Sequence, residues 1–216
     1  MVKVEFHSHT NASKDSQVSL QDLLAACQKK GLNRIVITDH NTIEAALQAK
    51  AYDPEKFIVG EEIKTQQGEL LGIFVKELVP AGLTPLETID ILRSQGAFIS
   101  VSHPFDIFRS GHWELENLVK IVPYIDAIEV FNSRCMFPRF NTQAKKFAMQ
   151  HQLLGTVGSD SHHISEIGTA TLSLPNFNDA ASLMEALPVA QPSLKLSAPW
   201  VHFFSRRAAA QKSGKS

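Results

Sequence analysis

Four segments of this chain close an apolar run on an imidazole or a carboxylate. His7 and His9 follow residues 2–6, Asp39 and His40 follow residues 35–38, Ser102-His103-Pro104 follows residues 98–101, and Gly158-Ser159-Asp160-Ser161-His162 follows residues 153–157. His7 and His9 stand two apart, as do Asp160 and His162, so each pair projects from one side of an extended segment. Imidazole and carboxylate donors without cysteine suit Zn²⁺, Mn²⁺ or Fe²⁺ rather than an all-oxygen calcium cage. Together with Asp15, His40, Glu62 and His103, the two pairs exceed what one tetrahedral ion needs. The count predicts two or three divalent metals, with a carboxylate bridging at least two of them.

A cluster drawn from segments so far apart needs a framework that brings many strand ends to one edge. Residues 2–6 read as a strand, and Ser19 caps a helix whose Leu20, Leu23, Leu24 and Cys27 share a face before Gly31 ends it. A strand at 34–38, a helix over 42–51 and two strands, 57–63 with Glu61 and Glu62 and 70–75 after the Gln66-Gln67-Gly68 turn, come next. Thr84-Pro85 with Glu87 starts a helix that stops at Gly96. Further helices are read at 114–121, 137–150 and 178–187, with strands up to His103 and at 125–131, 153–157 and 169–174. The alternation runs six or seven times without a break in composition, which predicts a single (β/α) barrel. In such a barrel the loops after the strands share one face, and every cluster named above lies there. The barrel domain is placed at residues 1–190, with 191–216 as a C-terminal extension. Its tail, with Arg206, Arg207, Lys212 and Lys215 among Ala, Ser and Gly, reads as a frayed and mildly basic end, a weak phosphate-attracting arm being the alternative.

The 216 residues, 44% hydrophobic, suffice for one buried core. A net charge of −1 argues against a dedicated duplex-DNA binder but leaves room for a nucleic acid gripped locally. Two cysteines, Cys27 and Cys135, indicate neither a disulfide framework nor a thiolate zinc site. No cleavable leader precedes His7 and no apolar run approaches the ~20 residues of a membrane span, so a cytoplasmic protein is expected.

The ordered motifs HSHTNASKD, TDHN, GEEI, SHPF, IEVFN and GSDSH resemble those of the PHP (polymerase and histidinol phosphatase) domain family, and the resemblance runs to about Leu187. It implies a distorted (β/α)7 TIM-like barrel with a trinuclear centre for phosphoester hydrolysis. One metal would take His7, His9, Glu62 and Asp160; a second would take Asp15, His40 and His162; the third would share Glu62 and take His103. The family's GxE pattern selects Glu62 over Glu61. Where many members carry Gly-His, this chain has Gly68-Glu69. Either Glu69 replaces that imidazole, or the third site is weak or empty and the centre is binuclear.

The expected reaction is in-line attack on a phosphoester by a metal-bridging hydroxide, with Asp160, His162 and Glu62 at its heart and no covalent nucleophile. Ser159 and Ser161 lack a nucleophile-elbow pattern and are read as supporting hydrogen bonds. Arg109 and Arg134 are the candidates for gripping phosphate oxygens. Glu129 and Asn132 are placed in the substrate pocket, a Glu129–Arg134 pair being the alternative. For Asp15 a turn-capping role stands beside ligation, and His112, His151, His163 and His202 are read as ordinary structural or surface histidines. The substrate is a phosphorylated small molecule, a nucleotide or a nucleic-acid 5′ end. Histidinol phosphate, hydrolysis of a non-phosphate ester or amide, and a non-catalytic module that binds a partner protein are the alternatives, and the oligomeric state is left open.

Overall fold

The β-branched and apolar runs form nine strands in a computed structural model that describes residues 1–213. They are β1 Val2–Glu5, β2 Arg34–Ile37, β3 Phe57–Lys64, β4 Glu69–Ile73, β5 Phe98–Val101, β6 Ala127–Asn132, β7 Leu154–Gly158, β8 Ala170–Leu174 and β9 Gln191–Leu194. The helices are α1 Leu20–Lys30, α2 Glu44–Tyr52, α3 Pro85–Ser94, α4 Leu115–Ile121, α5 Pro138–His151, α6 Ala180–Ala186 and α7 Val201–Ser213. Strand parity sorts the core into two layers. Ile35, Ile37, Phe57, Val59, Ile99 and Val101 belong to one buried cluster with Leu23, Leu92 and Leu118 of the helices. Val36, Ile58, Phe98 and Ala127, of the opposite parity, join Phe6, Val157, Phe177 and Leu183 in the other.

The hydrogen-bonded order is β7-β6-β5-β4-β3-β2-β1-β8-β9. β1, β2 and β3 run parallel, as do β5, β6 and β7. β4 is antiparallel to both of its neighbours, a departure from plain strand–helix alternation. The cause is local: the Thr65 hydroxyl accepts from the amides of Gln67 and Gly68 in the turn, and a connection this short joins only antiparallel strands. Reversal puts Glu69, the first residue of β4, at the edge where the parallel strands end. At that edge the chain beyond β1 bridges the chain beyond β7, Ser8 opposite Ser161, with the Asp160 amide donating to the His7 carbonyl at 2.8 Å and the His9 amide to the Ser161 carbonyl at 3.0 Å. Strands β1–β7 thus form a nearly closed TIM-like barrel, while β8 takes the other edge of β1 and carries β9 outward.

Two elements lie within residues 191–213, and the second corrects the reading of the tail after Trp200 as frayed. β9 pairs with β8, and residues 201–213 form a helix, consistent with the high helix propensity of its Ala208–Ala210, Arg206, Arg207, Gln211 and Lys212. The end of the tail, with Lys215, lies outside the described residues. No helix among the described residues is long and apolar enough to cross a membrane.

The start of α3 is fixed by a reciprocal cap. The Thr84 hydroxyl accepts from the Glu87 amide at 3.3 Å, and the Glu87 carboxylate accepts from the Thr84 amide at 2.9 Å. Thr84→Ala is expected to cost about 1 kcal/mol, seen as a lower urea midpoint with an unchanged slope.

Candidate metal centre

Glu62, projecting inward from β3, stands against four imidazoles. One of its oxygens lies 2.9 Å from His40 Nδ1, 3.3 Å from His9 Nε2 and 3.4 Å from His7 Nε2, and the other lies 3.1 Å from His103 Nε2. Asp160 Oδ1 sits 3.4 Å from His9 Nε2 and 3.3 Å from His162 Nδ1, and Asp15 Oδ2 sits 3.2 Å from His162 Nε2 and 3.6 Å from His40 Nε2. Glu69 Oε2 is 3.6 Å from His103 Nε2. All nine ligand candidates therefore meet at one rim. Seven of them make three donor sets, His9/His40/His162 and Glu62/Glu69/His103 each sharing a member with His7/His9/Glu62, and within each set the donor atoms lie within 4.8 Å of one another.

Burial would lower His7, His40 and His103, yet the carboxylates around them, Glu62 above all, hold each above the ordinary imidazole value. His9 goes the other way: burial, reinforced by the neighbouring His162 and His40, keeps it well below that value and therefore neutral. Burial would raise Glu62 and Asp160, but His7 and His40 hold the first well below the usual carboxylate range, and Arg109 and His7 do the same for the second. Glu69 is pushed up by burial and by Glu62 beside it.

The donor set fits divalent cations. His7 Nε2 and His9 Nε2 face each other at 3.1 Å, an approach in which two lone pairs repel unless a proton or cation lies between them. Glu62 Oε2, Asp160 Oδ1, Asp15 Oδ1 and His162 Nε2 are buried without a contact of hydrogen-bond geometry, although a ring or carboxylate stands close to three of them, and a cation would relieve that shortfall. The opposite nitrogens of the rings are held from behind: His7 Nδ1 by Glu129 at 3.0 Å, His9 Nδ1 by the Ser13 hydroxyl at 3.2 Å and His162 Nδ1 by the Asp160 carbonyl at 2.8 Å. His103 and Asp160 also adopt positive φ, 26° and 53°, so backbone strain accumulates at this rim.

The four residues expected to meet substrate separate. Arg109, with its side chain 21% exposed at the rim, donates to the Asp160 carboxylate. Arg134 is buried and committed to Glu166 at 3.2 Å, the Asp160 carbonyl at 3.4 Å and the Ser205 hydroxyl at 2.7 Å. Glu129 accepts from the His103 amide at 2.8 Å and from Asn132 at 2.9 Å as well as holding His7, and Asn132 also reaches Asp160 at 3.2 Å. Glu129 and Asn132 thus support the donor cluster instead of lining a pocket, and the Glu129–Arg134 pair does not form. A cavity of about 430 Å³ between β7 and β9, lined by Val130, Leu172, Leu187 and Pro192 among others, contains none of the ligand candidates.

Several supports lay outside the sequence reading. Asp39 accepts from Thr10 and from the Ser13 hydroxyl, and so pins the loop between β1 and α1; Glu166 accepts the amides of His162 and His163 at 3.1 Å. Asp39 had a signal in its place beside His40, whereas Glu166 had none. Ser159 and Ser161 bond to the buried Glu5, in keeping with a supporting role. His163 stacks on Phe204, but His202, read as ordinary, is half-buried in the field of Arg134 and Arg109 and is held at about 4, by burial first and then by those charges.

The PHP-associated family model matches residues 138–191. An uncharacterized protein of Methanocaldococcus jannaschii is 35% identical over 180 residues, 82% of this chain and 72% of its own length. The fold is similar to that of a two-domain protein from Bacteroides vulgatus containing a predicted PHP-like metal-dependent phosphoesterase, with a TM-score of 0.69 at 18% identity over 90% of this chain and 65% of that one. It is also similar to that of the lesion-specific endonuclease PfuEndoQ from Pyrococcus furiosus, with a TM-score of 0.62 at 16% identity over 92% of this chain and 59% of that one.

Proposed function

The chain belongs to the PHP (polymerase and histidinol phosphatase) domain family, and from that premise we propose that it is a metal-dependent phosphoesterase carrying two or three Zn²⁺, Mn²⁺ or Fe²⁺ ions. The observation that carries the proposal is the Glu62 carboxylate within 3.4 Å of His7, His9, His40 and His103. His7, His9, Glu62 and Asp160 would hold one ion, and Asp15, His40 and His162 a second. His103, Glu62 and Glu69 would hold the third, with the carboxylate of Glu69 taking the part of an imidazole. Bound there, such ions supply Lewis acidity toward a phosphoryl oxygen and a water acidic enough to lose its proton near neutral pH.

The protein's own part is orientation. Glu129, Ser13 and the Asp160 carbonyl fix His7, His9 and His162, and Arg109 presents at the rim a guanidinium fork suited to phosphate oxygens. The substrates proposed are phosphomonoesters and nucleotide or oligonucleotide ends, a class consistent with the phosphoesterase and endonuclease among the structural neighbours. A non-catalytic partner-binding module would be expected to have lost donors, and this chain keeps the set except for Glu69 where many members carry a histidine.

The test is phosphate release by metal-loaded protein from p-nitrophenyl phosphate, mononucleotides, 3′,5′-bisphosphates, histidinol phosphate and 5′-phosphorylated oligonucleotides, beside an Asp160→Ala control. Turnover of one class, absent from the control, is expected. Bound ions without release from any of these substrates would count against the proposal.

A further inference from the structure

Lys212, near the end of α7, donates three hydrogen bonds to backbone carbonyls of one loop: Asn11 at 2.7 Å, Ser13 at 2.7 Å and Ser16 at 2.9 Å. An ammonium has three donors, and all three find partners here. The same loop carries Asp15, which faces His40 and His162, and Ser13, whose hydroxyl donates to Asp39 at 2.6 Å and accepts from the His40 amide at 3.0 Å. Gln211 accepts from Gln17 at 2.9 Å just beyond the loop, and one turn or more back along α7 Ser205 accepts from Arg134, which also bonds the Asp160 carbonyl. Val201 and Ala208 are buried on the same helical stripe as Ser205 and Lys212. The helix is therefore fastened to both sides of the donor cluster.

Three carbonyl oxygens converging on one point repel one another unless a cation sits between them. Backbone carbonyls grouped in this way are also the means by which proteins strip and bind potassium. We propose that Lys212 is a positioning residue, a tethered cation filling a carbonyl cage that holds the Asp15 loop against the metal centre, and that the cage accepts a free monovalent cation, K⁺ or NH₄⁺, once the ammonium is withdrawn. The inference rests on the metal-centre reading and is independent of which ester is cleaved.

The experiment is a calorimetric Mn²⁺ titration of the full-length chain at fixed ionic strength, in choline, potassium or ammonium chloride, with Lys212→Met beside the wild type. Supporting groups behind a metal ligand are typically worth 10–100-fold in metal affinity. Lys212→Met is expected to lose about that factor for one Mn²⁺ in choline and to regain at least about tenfold in potassium or ammonium, while the wild type is the same in all three salts. Affinity equal to the wild type in choline overturns the proposal, as does a loss that no monovalent cation restores. Lys212→Cys is the second arm. Cys27 and Cys135 are buried, so the introduced thiol is the accessible one. Alkylation with 2-bromoethylamine rebuilds an ammonium of similar reach and should restore the affinity, whereas iodoacetamide should not; equal behaviour of the two adducts overturns the role of the charge. A wild type that binds no divalent ion would instead refute the metal-centre reading, so the two failures are distinct.

Discussion

Glu62→Ala is expected to lower turnover by at least about 10³-fold, because the ions it would help hold contribute several kcal/mol of transition-state stabilisation. Among the described residues no other side chain touches four imidazoles, and it belongs to two of the three donor sets. Its removal has a second effect. Glu62 is a principal cause of the raised values of His7, His40 and His103, so without it burial dominates and those rings shift toward the neutral form. Neutral rings still donate lone pairs, but the anionic charge that would balance two adjacent cations is gone. The expected signature is a loss of at least one bound ion per chain by elemental analysis, together with the loss of phosphate release. Glu61→Ala is the control: Glu61 faces the other way, accepts from the Val79 amide at 3.0 Å and touches none of the histidines. Glu62→Ala retaining turnover within tenfold of the wild type would mean that the chemistry lies elsewhere.

Why the donor cluster was legible in sequence while much of its support was not follows from where each kind of information sits. Ligands at the ends of apolar strands carry their position with them, because strand ends of a parallel barrel share one rim. Glu62 was separable from Glu61 by parity together with the family's motif. The direction of β4 was also available, since the few residues between the β3 and β4 runs are too short for a parallel crossover. The partners of Glu129, Arg134 and Lys212 were not. Lys212 bonds to residues 196–201 positions away, and Arg134 to Ser205, 71 positions away. Such pairs depend on how the chain returns over the barrel, about which neither periodicity nor composition speaks. The tail read as frayed for the same reason: α7 packs by way of Val201 and Ala208, small or isolated residues in a polar, basic stretch. Glu129, placed in the substrate pocket with Arg134 as its alternative partner, has His7 as its neighbour, a residue 122 positions away that no local pattern links to it.

Gly158→Ala is expected to have the next largest effect, through space alone. Gly158 ends β7 with its φ outside the left-handed region, so no conformational freedom is being used there. An added Cβ, however, would overlap the Glu129 carboxylate and the Cβ of His7, both fully or almost fully buried. Neither neighbour can yield cheaply. Glu129 is fixed by the His103 amide and by Asn132, and His7 by the cluster in front and Glu129 behind. Overpacking of this kind costs about 1–3 kcal/mol, or roughly 2–12 °C in Tm for a chain of this size. Displacing His7 from its support should also lower metal affinity about 10–100-fold. Gly155→Ala, three residues earlier on β7, is the comparison: its Cβ would meet only the partly buried Val130 side chain, at 3.0 Å and away from the donors, and should leave metal affinity unchanged whichever way stability moves. Equal metal affinities in the two variants would mean that the centre tolerates a shifted His7, and the packing around Gly158 would then serve the strand alone. A loss confined to Gly158→Ala would instead tie the absence of a side chain at this position to the ligand geometry, since the same strand would accept a methyl group at one place and reject it at the other.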